Sequence, residues 1–146
     1  MDMRKSLILL AALAGVLATP AVAQQSALKM GSLWTVSRIA VEDGQNQNYS
    51  DYLAKTYIPN QEFAKAQGWI QDYYILNNVN PRDGEPNIIL ITRFADQPSV
   101  AEMERRNDIV NKRMSQDDHS AAAASGERLK MRKLMGSVLY RELGKR

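Results

Sequence analysis

Apolar residues follow one another without a break from Ile88 to Ile91 in the stretch Asn87-Ile88-Ile89-Leu90-Ile91-Thr92-Arg93-Phe94. Gly84 and Pro86 precede it, and Asp96 and Pro98 follow it. Consecutive apolar positions leave neither face suited to water, and the run is too short for an isolated helix. The pattern predicts an inner strand covered on both sides. Before it, residues 33–41 alternate weakly and are rich in Val, Ile, Thr and Trp, which predicts a first strand. Residues 24–31 show no pattern and read as a leader. After the polar loop 42–48, Tyr49, Tyr52, Leu53, Thr56 and Phe63 fall on one helical stripe, with Asn48 or Ser50 as the cap. Pro59 inside that helix removes a hydrogen bond and is expected to kink or split it. Gly68 is placed to end it.

Residues 69–79 form the expected second strand, centred on Tyr73 and Tyr74. Asn80, Pro81, Asp83, Gly84 and Pro86 then make a hairpin connection into the inner strand. Ser99 with Glu102 three residues on has the spacing of a capping box. The helix it opens sets Val100, Met103, Asn107, Val110 and Met114 at steps of three and four. A polar break at 115–120 precedes helix-like composition over 121–135. Gly136 stops that segment, and 137–143 is the last strand. The order is strand, helix, strand, strand, helix, strand. Right-handed crossovers convert it into an antiparallel sheet ordered 4-1-3-2 with both helices on one face, a ferredoxin-like βαββαβ sandwich of the α+β class.

Residues 1–23 stand outside that domain. Arg4 and Lys5 precede an uncharged apolar run from Leu7 to Leu17, and Ala21-Val22-Ala23 follows Pro20 as an A-x-A cleavage site. This is the pattern of a secretory signal peptide. The run is short of the roughly 20 residues a spanning helix needs, so no membrane span is expected. A periplasmic or secreted chain of residues 24–146 results, one domain long. No cysteine is present, so neither a disulfide nor a lipid-anchoring cysteine is available, and a core must supply the stability. Removal of Asp2, Arg4 and Lys5 lowers the formal charge from +3 to +2. Residues 126–146 hold seven basic and two acidic side chains, a local +5. That reads as a solvated helix face, and export argues against a nucleic-acid partner.

Tyr52 and Pro59 in the first helix, Gly68-Trp69-Ile70 and Tyr73-Tyr74 entering the second strand, and the apolar third strand give the chain a resemblance to the dimeric α+β barrel superfamily. The resemblance covers residues 33–143. It implies two subunits packed through open sheet faces, with a cavity between sheet and helices in each. Members range from cofactor-free monooxygenases and lactone isomerases to haem proteins and stress-response proteins, so the fold alone does not select a function. The haem-binding branches use a histidine. Here the one histidine, His119, falls in the polar break, so no haem or other cofactor is expected.

Asp117, Asp118 and His119 are adjacent, and adjacent side chains point apart; no second His or Cys cluster completes a metal shell. A Ser-His-Asp triad has no histidine on a rigid element, and Gly-rich phosphate loops are missing. No catalytic residue is assigned. Six tyrosines and two tryptophans suit either a core or an aromatic-lined pocket. Met103, Met114, Met131, Leu134 and Met135 read as helix faces on the sheet. Arg93 and Arg141 share strand faces with Ile89, Ile91 and Leu139 and call for partners, most simply a salt bridge across the sheet. Parity puts Trp34, Val36 and Arg38 on one face of the first strand, and Val138, Tyr140 and Glu142 on one face of the fourth. The expected ligand site is therefore Trp34, Arg38, Tyr74, Tyr140 and Glu142, with Arg38 facing Glu142 inside a cavity. There the arginine orients an acidic group and Glu142 holds it or acts as a base. Either Ile89 and Ile91, or Ile88, Leu90 and Phe94, face away from the helices, and both sets predict a homodimer through the sheets. The leading functional expectation is an exported dimer that binds an apolar or aromatic small molecule. A cofactor-free monooxygenase or isomerase, and an interaction module without a ligand, are the alternatives.

Overall fold

A computed structural model of the protein describes residues 26–146. The signal-peptide reading of residues 1–23 lies outside them. Four strands, β1 (Leu28–Val41), β2 (Asp72–Asn77), β3 (Ile88–Phe94) and β4 (Arg132–Lys145), form one antiparallel sheet in the order β2-β3-β1-β4. The apolar run is thus an inner strand. Helical segments α1 (Asn46–Tyr52), α2 (Ile58–Ala66), α3 (Val100–Arg113) and α4 (Asp118–Arg128) complete an α+β architecture compatible with a ferredoxin-like fold. Among the described residues no helix is long and apolar enough to cross a membrane.

The core is small. Ile39 and Leu90 from the sheet meet Tyr49 and Leu53 from the first helical stretch, with Val41, Tyr52, Tyr57, Ile75, Ile88 and Met131 packed around them. This contact decides parity. Leu33, Thr35, Ser37 and Ile39 of β1 face the helices, with Leu90 and Thr92 of β3. Trp34, Val36 and Arg38 face away, with Ile89, Ile91 and Arg93. β3 is therefore not covered on both sides within one chain: only Leu90 is buried.

The interruption expected at Pro59 takes the form of a π-helical turn, Leu53–Tyr57, between α1 and α2, where the Ile58 N–H reaches back to the Leu53 carbonyl. The wider turn accommodates a residue that has no N–H and whose ring excludes the carbonyl four residues back. Gly68 ends α2 at φ +70, with Gly68 N donating to Lys65 O and Trp69 N to Ala64 O. Those two bonds are the Schellman pattern, and the Phe63–Trp69 ring contact at 5.5 Å is its hydrophobic companion. Helix α1 begins earlier than expected, at Asn46, and neither Asn48 nor Ser50 caps it. Ser99 caps α3 through the Glu102 N–H at 3.2 Å. The reciprocal half of that box is lost, because the Glu102 carboxylate turns to Arg105 and Arg106 and is held down to about 2 by them.

Three boundaries differ more. The leader is part of β1 from Leu28 onward, where Leu28, Lys29 and Met30 pair with Lys145, Gly144 and Leu143. Their side chains stay exposed, so hydrogen bonding and not burial extends the strand, and no sequence pattern reports it. The polar break is the start of α4, closed by a capping box between Asp117 and Ser120, with His119 in its first turn. Helix composition over 129–135 yields to pairing with β1: Arg132, Lys133 and Leu134 lie opposite Val41, Ala40 and Ile39. Met131, Leu134 and Met135 are accordingly not a helix face. The α3 stripe is not buried on the sheet either, since Val100 and Met103 are 66% and 44% exposed. Arg106 over Trp69 and Arg113 over Phe63 join α3 to the α2 region instead.

Two glycines separate conformational cost from contact. Neither Gly68 nor Gly126 would place a Cβ within 4 Å of another group, but only Gly68 has positive φ. Gly68→Ala is expected to lower stability by about 1–2 kcal/mol. Gly126→Ala, inside α4, is expected to raise it by up to about 1 kcal/mol. Urea unfolding of the two variants measures both signs.

Candidate functional site

The sheet carries two unlike surfaces. On the open face, register aligns three rows across β2, β3, β1 and β4. They read Asp72, Arg93, Trp34, Tyr140; then Tyr74, Ile91, Val36, Val138; then Leu76, Ile89, Arg38, Gly136. Four of the five expected site residues meet here. Trp34 Nε1 donates to Glu142 Oε2 at 3.2 Å, Trp34 and Tyr74 stack at 6.3 Å and 13°, and Tyr140 is the cross-strand neighbour of Trp34.

Arg38 is the exception. It lies opposite Gly136, with its guanidinium 3.3 Å from where a Cβ on that glycine would stand, while Glu142 sits over Gly31 at the other end of the strand pair. The arginine that reaches Glu142 is Arg93, at 3.5 Å, with its guanidinium carbon 5.2 Å over the Trp34 ring. This is the salt bridge across the sheet that Arg93 called for; Arg141 finds Asp96 at 3.2 Å. Equal strand parity does not mean adjacency, and two residues on one face can lie three rows apart. These side chains make an exposed surface: Tyr74 is 41% and Tyr140 55% exposed. The acidic end of the patch is tied down, since Asp72 accepts from Lys65 Nζ at 3.0 Å and from the Tyr74 hydroxyl at 3.1 Å, and Lys65 holds its carboxyl below the usual range.

The helix-covered face carries hydroxyls beside the core. Thr35 opposes Thr92, and Ser37 opposes Ser137 with their hydroxyls 3.0 Å apart. Above them the π turn suspends Tyr52 and Tyr57, and Arg132 enters from the start of β4. Together with Leu90 and Leu134 they enclose a cleft of about 270 Å³. That volume is at the small end of ligand pockets and suits a single-ring molecule. Tyr57 lines the cleft beside Thr92 and packs edge-on to Tyr73 at 6.4 Å. Burial pushes the Tyr57 hydroxyl up against the opposing effect of Thr92, and burial likewise raises Tyr49 against Arg132. Both phenols stay neutral donors through the physiological range. Tyr73 donates to Glu62 at 2.6 Å and is pushed up to about 12 by that carboxylate.

Arg132 Nη1 donates to the Tyr49 hydroxyl at 3.1 Å, and its guanidinium lies 5.6 Å from the Tyr49 ring and 5.9 Å from the Tyr52 ring. Tyr52 is also a wall of a second cleft, about 560 Å³, toward α4, where Arg128 lies 5.5 Å over the same ring. Among the described residues no group of three or more His, Cys, Asp or Glu side chains is placed to hold a metal ion. Tyrosines of the cleft were among those that suit an aromatic-lined pocket, but Thr35, Ser37, Thr92 and Arg132 carried no local signal, because strand parity alone does not say which face is covered. The π turn at Pro59 was the available pointer, since such turns cluster at functional sites.

The chain matches no protein-family model, no curated protein and no solved structure.

Proposed function

We propose that the protein is an exported homodimer of the dimeric α+β barrel kind, and that it binds a small aromatic or apolar molecule in the cleft beneath the π turn. One observation carries this reading: the helix-side cleft sets the hydroxyls of Thr35, Ser37 and Thr92 beside the apolar walls of Tyr52, Tyr57 and Leu90, polar groups converging on one space. Polar groups placed inside need partners, which a ligand or ordered water supplies. The tyrosines give such a ligand flat apolar walls with neutral donors at their tips. The site thus moves from the open face, where Trp34, Tyr74, Tyr140 and Glu142 lie, to the covered one.

The open face then has the role of subunit contact. Val36, Ile89, Ile91, Leu76 and Val138 form a contiguous apolar area, of the kind seldom left in water. Two of its charged groups are already paired within the chain, Arg93 with Glu142 and Asp72 with Lys65. Arg38 at its edge forms no ion pair among the described residues and would meet a second copy uncompensated. A two-fold arrangement sets like surfaces together.

Three measurements test the parts separately. Light scattering is expected to give twice the chain mass at micromolar concentration, and Val36→Glu or Ile91→Glu, outside the core, to give a folded monomer. A wild-type monomer would overturn the assembly. For the cleft, benzyl alcohol is expected to shift the amide resonances of Thr35, Ser37 and Thr92, and Ser37→Phe, which fills the cleft from the sheet side, to abolish the shifts. Absence of such shifts in the wild type with both benzyl alcohol and benzoate would end the binding reading. For export, protein recovered from the periplasm is expected to have the intact mass of a chain beginning at Gln24; soluble protein that retains residues 1–23 is the contrary result.

A further inference from the structure

We infer that the ligand of this cleft is an anion, a small aromatic carboxylate or phenolate, and that Arg132 is the group that binds its charge. The inference rests on the cleft being a binding site, and it assigns the chemistry of what binds there. Arg132 is half-buried, yet among the described residues no carboxylate forms an ion pair with it. Its side-chain hydrogen bond goes to the neutral Tyr49 hydroxyl in the core, which burial keeps protonated. No aspartate or glutamate lines the cleft.

The surroundings add positive charge. On the far side of Tyr52, Arg128 is likewise without a carboxylate ion pair, and its buried Nε has no acceptor. The acid beside it, Glu127, is taken by Lys130 at 2.7 Å. Two guanidinium groups therefore converge on one ring with no counter-charge. Five arginines elsewhere, Arg82, Arg93, Arg105, Arg106 and Arg141, each have a carboxylate; Arg38 and Arg113 form no ion pair among the described residues, but neither lines this cleft. A partly desolvated cation without a counter-ion is costly, and a bound anion removes that cost.

The geometry of the groups fits the same ligand. Nη1 is engaged by Tyr49, which fixes the plane of the fork and leaves the remaining donors to a carboxylate. Thr35, Ser37, Tyr57 and Thr92 offer hydroxyls to a ring substituent. Tyr52 and Leu90 offer apolar walls. A neutral aromatic would fill the same space and leave the charge unanswered.

Benzoate and benzyl alcohol share size and shape and differ in charge, so isothermal titration of both against the protein recovered from the periplasm separates the two levels. Wild type is expected to bind benzoate about tenfold or more tightly than benzyl alcohol, the usual range for one charge-assisted hydrogen-bonded pair. Arg132→Gln is expected to bring the ratio close to one, and Arg132→Lys to keep part of it. Nuclear Overhauser contacts between the benzoate ring and the Arg132 and Tyr52 side chains in the wild type make the test independent of whether either variant folds. Equal affinity for the two probes, or benzoate contacts that leave out Arg132, would overturn the anion assignment while the cleft reading stands. Binding of neither probe would overturn both.

Discussion

The contact of Ile39 and Leu90 with Tyr49 and Leu53 is the constraint on which the rest of the molecule depends. It is a small core, and it does not stabilise the chain by area alone. Its effect is to choose which side of the sheet the helices cover. Once Ile39 and Leu90 point toward α1, alternation sends Thr35, Ser37 and Thr92 inward with them and sends Trp34, Val36, Ile89 and Ile91 outward. A shift of one residue in either strand would exchange the two sets. Tyr49 ties the choice to β4 as well, because its hydroxyl is where Arg132 anchors.

The helical side is adjusted to that choice. The π turn sets the direction of the chain between α1 and α2 so that Tyr52, Tyr57 and Leu53 all reach the sheet while Pro59 remains compatible with a helix. Beyond it, the contacts turn from aliphatic packing to arginine on aromatic rings. Arg106 and Arg113 hold Trp69 and Phe63, and Arg128 holds Tyr52. Such pairs tolerate water at their edges, which suits helices with no buried residue of their own, as in α2, α3 and α4.

Much of this was legible in the chain. The α+β class, four antiparallel strands, the inner position of β3, the interruption at Pro59, the end of α2 at Gly68 and the Ser99 cap follow from local patterns that tertiary packing did not need to override. What escaped were features set by pairing between distant segments. Leu28 to Met30 are strand only because Leu143 to Lys145 lie beside them. Residues 132–135 have helix formers and are strand because β1 is adjacent. The expected site was read from parity, which assigns a face but not a row, and so Arg38 stood in for Arg93. Which face was covered depended on one small core contact, and strand parity alone left both faces open.

The pairing of β1 with β4 slips between Arg38 and Ile39, where Met135 is an extra residue on β4 beside Gly136, whose φ of +143 favours glycine. Without that residue, Arg132 and Leu134 would continue the alternation of Val138 and Tyr140 and emerge on the open face. With it, they cross to the covered face beside Ser37. One inserted residue thus acts as a parity switch partway along a strand. It lets a single strand contribute an aromatic surface at one end and a cation to the opposite side at the other. The bulge also confines the two chemistries to different lengths of β4, so that surface and pocket can vary in sequence without drawing on the same positions.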